Sequence, residues 1–350
     1  MRIAMLIDVY GGVYVGGGIV HIKNLTKYLK KNYSCEILIF SQPFPSFFAR
    51  LLYNFWIIPV VIYNHIKNPF DLIHAHAYSP AIPAKILSLI LKKPVVYTIH
   101  GCNNLDLVKM NLRKKTLIYF LENYFLTQIK YDAQITVAAN FLQYPNVNNK
   151  IYVISNGVND KKDFVKQFNH DKKIILFVGR LEKIKGLEIL FKALHNFPFA
   201  FELRIIGEGQ EKENLVALSK TLKIDKMINF LGKKIGIDLE KEYKNSDLFI
   251  LPSLSEGFPL TILEAMSFKL PVLATKVGAN PDMIENNKTG FLVEPNKIND
   301  LRKKIVWIFT NFKKATFVGE KAFLYVKNYS WEKMAEKTYQ IYLEVLQNEK

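Results

Sequence analysis

The sequence predicts an α/β protein made of two parallel, doubly wound halves. Three observations point there. The chain opens as an apolar strand, a glycine-rich loop and an amphipathic helix over residues 2–9, 10–18 and 19–31, which is how a Rossmann-like sheet begins. From residue 173 to 275, strand-like and helix-like segments alternate, and such alternation builds a parallel sheet with helices on both faces. Between the two lies NDKKDFVKQFNHDKK, residues 159–173, polar enough to read as a linker. A chain of 350 residues has room for two domains of ordinary size.

In the first half, the opening helix has its apolar positions at Ile22, Leu25, Tyr28 and Leu29. The loop glycines Gly11, Gly12, Gly16, Gly17 and Gly18 do not follow G-x-G-x-x-G. No acidic residue follows the second strand, residues 35–40, where SQPFP comes next. Both points weigh against an NAD-binding α/β protein. Residues 44–66 are aromatic and aliphatic at helical spacing. Two readings stay open there: a core helix, or an interfacial one in which Phe47, Phe48, Tyr53, Phe55 and Trp56 flank Arg50. Residues 71–75 and 95–98 read as short buried strands with a helix over 83–91 between them. His74, His76 and His100 then fall at strand C-terminal ends, where open α/β sheets bind ligands. By type they are metal donors, but they come from different places in the sheet and lack a fourth ligand, so no metal is expected. Residues 108–128 put Lys109, Arg113, Lys114 and Lys115 beside LIYFLENYFL. That basic amphipathic stretch suits anionic lipid or a lipid-phosphate acceptor, and equally an ordinary solvated face. Strands over 133–138 and 151–154 follow, then the turn signal Asn156-Gly157.

In the second half, strands are expected over 173–179, 201–206 and 228–232, with helices over 186–196, 210–222 and 238–246. Gly179-Arg180 and Lys185-Gly186 place two cations at the first strand-to-helix turn. That arrangement suits a diphosphate, with arginine as a fork and lysine as a point charge. The most informative stretch is SLSEGFPLTILEAM, residues 253–266, after the buried strand-like run DLFILP. Gly257 and Pro259 make one helix through both glutamates improbable. Glu256 is therefore read on a loop and the helix as starting near Pro259, at its first position. The free amides of Leu260 and Thr261 would form an anion site, with Glu264 about one turn further on. Hydroxyl-binding carboxylate, anion site, second carboxylate: the layout fits a nucleotide-sugar. The tail, residues 329–350, reads as a helix through Trp331, Met334, Tyr339, Tyr342 and Leu346.

Composition narrows the class. With 49% apolar and 23% charged residues the chain is globular. Cys35 and Cys102 offer neither a disulfide framework nor metal-ligand spacing, as in a reducing cytoplasm. The first residues read directly as a strand, so no signal peptide is expected. The longest uncharged apolar run, residues 51–66, is short for a bilayer and is interrupted by Asn54, Pro59, Asn64 and His65. The formal net charge is +17, and it is uneven. Residues 1–170 carry 19 Lys/Arg against 8 Asp/Glu, the remainder 29 against 23. Such a field points to an anionic partner or to a lysine-rich compositional bias. No nucleic-acid motif is present.

The stretch EGFPLTILEAM, continued by PVLAT and VGANPDMI, resembles the Glu-x7-Glu signature of the retaining glycosyltransferases of family 4, which have the GT-B fold. GRLEKIKG at 179–186 is similar to that family's G-R-L-x-x-x-K-G, Gly207-Glu208-Gly209 to its G-x-G, and His100-Gly101 to its histidine–glycine after a strand. The resemblance implies two Rossmann-like domains facing across a cleft. An acceptor domain would span residues 1–165 and a donor domain residues 172–329, with a last helix over 330–350 packing back on the first. It implies catalytic roles for His100, Arg180, Lys185 and Glu256. It implies donor binding by Gly17, Gly18, Gly179, Gly207, Gly257, Phe258, Pro259, Leu260, Thr261 and Glu264. Glu264 would hold the ribose and Glu256 the donor sugar. The activity implied is transfer of a hexose-type sugar, with retention, from a nucleoside-diphosphate sugar to a glycan or lipid-linked acceptor. No metal and no cofactor would be needed, and no Asp-x-Asp occurs. The enzyme would be cytoplasmic, in possible peripheral contact with an anionic membrane, and would serve cell-surface glycan synthesis. The sequence departs from the family at Lys269, where Gly is common, and at Asp282, where Glu is common. It also lacks an acidic residue after the first glycines. A glycosyl phosphorylase-like enzyme, an NAD-binding protein and a non-catalytic scaffold are the alternatives.

Overall fold

The structure is a computed structural model that describes residues 1–9, 16–42, 47–110, 114–159, 161, 166, 168 and 172–347. Gly11 and Gly12 of the glycine loop, Arg113 and most of the expected linker lie outside the described residues.

The chain divides into two compact units, Met1–Gly157 with Tyr329–Lys350, and Val158–Asn328. In the first unit β1 (Arg2–Val9), α1 (Gly17–Tyr33), β2 (Glu36–Gln42), α2 (Phe47–Lys67), β3 (Leu72–His76), α3 (Ala81–Leu91) and β4 (Val95–Ile99) alternate. Then come α4 (Asn103–Lys109), α5 (Leu117–Asn123), a π turn (Tyr124–Gln128), β5 (Ala133–Thr136) and β6 (Ile151–Val153). The strands form one parallel sheet in the order β2-β1-β3-β4-β5-β6, with Ala75 opposite Tyr97 and Thr98 opposite Ile135. Every residue of β3, β4 and β5 is buried, as expected of parallel strands covered on both faces.

Right-handed crossovers put the helices before and after a reversal of strand order on opposite faces. One face of the sheet, presenting Ala4, Leu6, Ile73, Ala75, Val95 and Tyr97, shares a core with Tyr53, Ile57 and Val61 of α2, Ala84 and Leu87 of α3 and Leu105 of α4. α1 lies on the other face.

The second unit contains β7 (Lys173–Val178), α6 (Leu187–Leu194), β8 (Phe201–Ile206), α7 (Lys212–Thr221), β9 (Ile228–Gly232), α8 (Gly236–Lys244) and β10 (Leu248–Leu251). α9 (Leu260–Ser267), β11 (Val272–Thr275), α10 (Asn280–Met283), β12 (Phe291–Val293), α11 (Ile298–Thr310) and α12 (Phe312–Val326) follow. Its parallel sheet has the order β12-β11-β10-β7-β8-β9. The strand order reverses between β1 and β3 in one sheet and between β7 and β10 in the other. Crevices for ligands open at such reversals, beyond the strands' carboxyl ends.

α13 (Trp331–Gln347) belongs to the first unit. Trp331, Met334, Ala335, Thr338, Ile341, Tyr342 and Val345 form its buried stripe, at the spacing of one helix face. Tyr33 of α1 stacks on Tyr339 at 4.0 Å. Gly157 meets the start of α13 so closely that a Cβ there would sit 2.1 Å from the Trp331 amide nitrogen. The boundary between the units thus falls at Gly157, ahead of the polar stretch. The described residues of that stretch belong to the second unit: Lys161 pairs with Glu240 at 2.5 Å, and Lys166 donates to the Tyr243 and Lys244 carbonyls at the end of α8.

Two expected elements differ. α2 runs straight through Pro59. Pro59 is exposed, so the carbonyl deprived of its partner can be solvated. The strand expected over 133–138 ends at Thr136, whose hydroxyl donates to the Ala138 carbonyl at 2.9 Å and bends the chain away.

Candidate active site

In the second unit, the loops after β7 and β10 leave the sheet side by side and are sewn together. A single 3₁₀ turn, Lys183–Lys185, ends at Gly186 with φ 70°. A side chain at Gly186 would be strained by that φ and would place Cβ 2.1 Å from the Pro252 carbonyl oxygen. The Leu254 amide donates to the Ile184 carbonyl at 2.7 Å. This crossing brings Lys185 to Glu256: Nζ donates to Oε1 at 2.7 Å and to Oε2 at 2.8 Å. Ser253 Oγ donates to the same Oε1 at 2.6 Å, and Thr275 Oγ1 donates to the Ser253 carbonyl at 2.6 Å. From the other side the turn after β11 presses on the loop. Gly278 has φ 53°, and a Cβ there would lie 1.9 Å from the Glu256 carbonyl oxygen. The Ala279 amide donates to the Gly257 carbonyl at 3.0 Å.

α9 begins three residues beyond Gly257, at Leu260. Pro259 is the N-cap, with φ −75° and ψ 102°, rather than the first helical residue expected from sequence. Its carbonyl accepts the first helical bond, from the Ile262 amide at 3.1 Å, so the helix proper opens with Leu260 and Thr261. No side chain caps it and its first turn holds no acid, which leaves the positive helix end for an outside anion. Phe258 and Pro259 are buried, while Gly257, Leu260 and Thr261 are partly so. Glu264, one turn on, accepts a hydrogen bond from Tyr243 Oη at 2.8 Å. Tyr243 is buried and stacked on Phe268 at 5.4 Å. Burial raises the Glu264 pKa above the usual carboxylate range, against the lowering effects of the Tyr243 bond and of Lys161. Arg180 follows β7 with its side chain 70% exposed, and among the described residues it is bonded locally, to Glu182 at 2.6 Å. Gly179 and Gly207 touch: a Cβ on Gly207 would stand 1.9 Å from the Gly179 carbonyl oxygen.

The first unit gathers histidines. His74 is used internally, with Nδ1 2.6 Å from Tyr342 Oη and Nε2 2.7 Å from Thr98 Oγ1. The His74–His76–His100 grouping suggested by residue type is therefore replaced by His21, His76 and His100, whose ring nitrogens lie within 4.8 Å of one another. That bound is looser than the ~3.3 Å edge of a tetrahedral site with zinc–nitrogen bonds of about 2.0 Å. His76 Nδ1 and His100 Nε2 are 3.2 Å apart. His21 Nδ1 is 2.6 Å from Asn156 Oδ1, so it carries the proton and Nε2 is the lone-pair nitrogen. Among the described residues, neither His21 Nε2 nor His76 Nε2 has a hydrogen-bond partner. Desolvation holds all four rings neutral: the His21 pKa falls to about 4, and those of His74, His76 and His100 fall well below the ordinary value. Gly18 faces His100, its missing Cβ 3.7 Å from the ring. Gly17 opens α1 and is exposed.

Sequence reasoning did not single out His21, Ser253, Tyr243 or Gly278. His21 carried one signal, a polar residue on the α1 stripe of Ile22, Leu25 and Leu29. The others act through pairings that local sequence does not encode.

The pattern of the family described as Glycosyltransferase Family 4 matches residues 15–162, and that of Glycosyl transferases group 1 matches residues 158–325. An uncharacterized glycosyltransferase of Methanocaldococcus jannaschii is 28% identical over 95% of this chain and 95% of its own. A sucrose-phosphate synthase of Thermosynechococcus elongatus superposes with a TM-score of 0.86 at 19% identity, over 99% of this chain and 100% of its own. The Anabaena protein HepE, solved with UDP, superposes with a TM-score of 0.75 at 18% identity, over 97% and 99%. Two six-stranded parallel sheets with flanking helices, and two family patterns that together run from residue 15 to 325, place the chain among the family 4 glycosyltransferases of GT-B fold.

Proposed function

We propose that the enzyme transfers a hexose-type sugar, with retention of configuration, from a nucleoside-diphosphate sugar to a glycan or lipid-linked acceptor without a metal ion. The observation that carries this reading is the Lys185–Glu256 pair set beside the uncapped start of α9. Departure of a nucleoside diphosphate builds negative charge. Fixed donors aimed at that charge are the largest source of electrostatic catalysis. Lys185, Arg180 and the amides of Leu260 and Thr261 are such donors. Arg180 is free to swing from its local partner and close on the phosphates as a fork. Glu264 keeps one oxygen beyond the Tyr243 bond for the ribose hydroxyls.

Glu256 holds the donor sugar more fully once Lys185 turns to the phosphate, because three of its roughly four acceptor sites are now taken, two by Lys185 and one by Ser253. The donor is thus read as exchanging one ion pair for another, and the buried carboxylate is released to hydroxyls as the cation leaves it. The family resemblance of their segments gives His100 a catalytic role and Gly17 and Gly18 a donor-binding one, and the glycines leave the first unit's chain without side chains at these positions. With four protein donors on the leaving group, no Mg²⁺ is required. HepE is solved with UDP, which makes uridine the first base to test. A thermal-shift panel of UDP, GDP, ADP and their sugars tests the reading. Stabilisation by one of them, abolished in Arg180→Ala, supports it. A protein indifferent to all of them, yet active with free phosphate on a glycan, belongs to the phosphorylase class instead.

A further inference from the structure

His21, His76 and His100 come from three elements of the first unit: α1, the last residue of β3 and the residue just after β4. The donor chemistry proposed above makes no use of His21 or His76. One nitrogen of each ring lies within 4.8 Å of the others. His76 Nδ1 and His100 Nε2 face each other at 3.2 Å. Two nitrogens bound to one zinc ion at about 2.0 Å stand ~3.3 Å apart, so this edge of the cluster already has the separation that a shared ion requires.

His21 is prepared as a ligand. Its Nδ1 donates to Asn156 Oδ1 at 2.6 Å, which fixes the tautomer and leaves Nε2 as the nitrogen for an ion. Metal-binding histidines are oriented in this way, by donating the other ring N–H to a fixed oxygen. His21 is 1% exposed, and its Nε2 has no hydrogen-bond partner among the described residues. Buried polar atoms are nearly always partnered, so such an atom inside a cluster of donors points to a bound group. His76 is held from behind by His74, whose ring lies 4.0 Å away and is itself anchored to Tyr342 and Thr98. Burial keeps all three rings neutral, each with a lone pair.

We propose that His21, His76 and His100 form a binding site for a divalent transition metal of the zinc class, with a fourth position open on the partly exposed side of His100. The donor set decides between ions. Three imidazole nitrogens suit zinc, cobalt, nickel or copper, whereas magnesium and calcium take oxygen ligands. Three protein ligands and one open position is an arrangement that zinc adopts. From the 4.8 Å bound, closure on the ion brings the widest pair inward by at most about 1.5 Å, within reach of rotation in the broad χ2 wells of histidine. The proton between His76 and His100 moves to the far nitrogen of the ring that carries it, and none is released. The ion takes no part in the transfer proposed above. Because His100 is one of its ligands, the loaded protein withholds that ring, so on the transfer reading zinc inhibits and EDTA restores activity. That consequence rests on the transfer reading; the site does not.

The test is a titration of the full chain, free of any affinity tag, stripped with EDTA and desalted, with zinc and separately with cobalt. Calorimetry should show one equivalent bound, cobalt should develop the visible absorption of a tetrahedral site, and zinc should raise the melting temperature by mass action. Magnesium at the same concentration should do none of this. Asn156→Ala should weaken zinc binding about 10–100-fold, as loss of an orienting partner does, and His21→Gln and His76→Gln should each weaken it further. His195→Gln, in the second unit, should leave it unchanged. Wild-type protein that takes up neither zinc nor cobalt overturns the proposal without reference to any variant. So does one-to-one binding kept at full affinity in both His21→Gln and His76→Gln, which puts the ion on other side chains. The UDP-induced thermal shift, measured in EDTA, reports on the donor reading alone, so either can fail while the other stands.

Discussion

Replacing Lys185 by Met keeps the aliphatic stem and removes the charge, and its consequence can be worked out from the geometry. Glu256 is 6% exposed and Lys185 16%. Without Lys185, the Glu256 carboxylate keeps only the Ser253 hydroxyl as a side-chain donor among the bonds described above. Removing one partner of a buried pair costs about 3–5 kcal/mol; because Lys185 is not fully buried, about 2–4 kcal/mol is expected here. For a unit of this size that is a drop in Tm of about 5–15 °C. Glu256→Gln should cost less, about 1–2 kcal/mol, because the flexible lysine can turn its ammonium to water. The double variant should be more stable than the two losses summed, by at least about 1 kcal/mol, the signature of residues in direct contact. Scanning calorimetry of all four proteins, with and without UDP, measures the cycle. If Lys185→Met melts with the wild type, or the two losses simply add within about 0.5 kcal/mol, the pair does not hold the loop and the exchange described for donor binding has no foundation. The reasoning also demands that the UDP-induced shift be smaller in Lys185→Met than in wild type.

Four further outcomes follow from named contacts. Gly278→Ala should lose about 2 kcal/mol or more and weaken UDP binding, from its positive φ and the blocked approach to Glu256. Gly16→Ala, which meets nothing within 4 Å and changes only the N-cap of α1, is the comparison and should lose no more than about 1 kcal/mol in the same assay. Arg180→Ala, at an exposed position, should keep its Tm within about 1 °C and lose about 10²–10³-fold in kcat. Transfer activity should survive an excess of EDTA, measured by nucleotide release. The histidine cluster sets an acid limit on the first unit. Folded pKa values below the unfolded one mean that the unfolded chain binds more protons below about pH 6.5, so stability falls as pH drops through that value. For His21, from 6.5 to about 4, this amounts to about 3 kcal/mol once pH 4 is passed. Urea midpoints between pH 7 and 4 should show the decline, and it should be shallower in His21→Gln.

What was legible in the sequence was what local spacing determines. DLFILP reads as a strand because a parallel strand buried on both faces is a short apolar run. EGFPLTILE reads as loop then helix because Gly257 and Pro259 exclude a continuous helix. Each of these features is set by fewer than a dozen consecutive residues. Errors came where a competing local rule was overruled from outside. Pro59 interrupts the apolar run in sequence but not α2, since its ring lies on the solvent side. Pro259 suits a first helical position, yet the buried loop holds it in extended geometry as the cap.

The histidines show why the rest was hidden. His21 meets Asn156, 135 residues away, and His74 meets Tyr342, 268 residues away. Nothing in the sequence around His74 marks it as already satisfied, and nothing around His21 marks it as the neighbour of His100. Residue type suggested the wrong trio because type ignores which partners the C-terminal helix takes. Pairing across parallel strands is long-range by construction, since each neighbour is reached through a crossover. Lys185 and Glu256 escaped this difficulty for a topological reason. β7 and β10 are adjacent at the strand-order reversal, so the loops bearing Lys185 and Glu256 must leave the same point of the sheet whatever intervenes between them. A motif split by 71 residues is thus predictable from strand order alone. The His21–Asn156 bond, made through side chains on a helix and a terminal turn, is not.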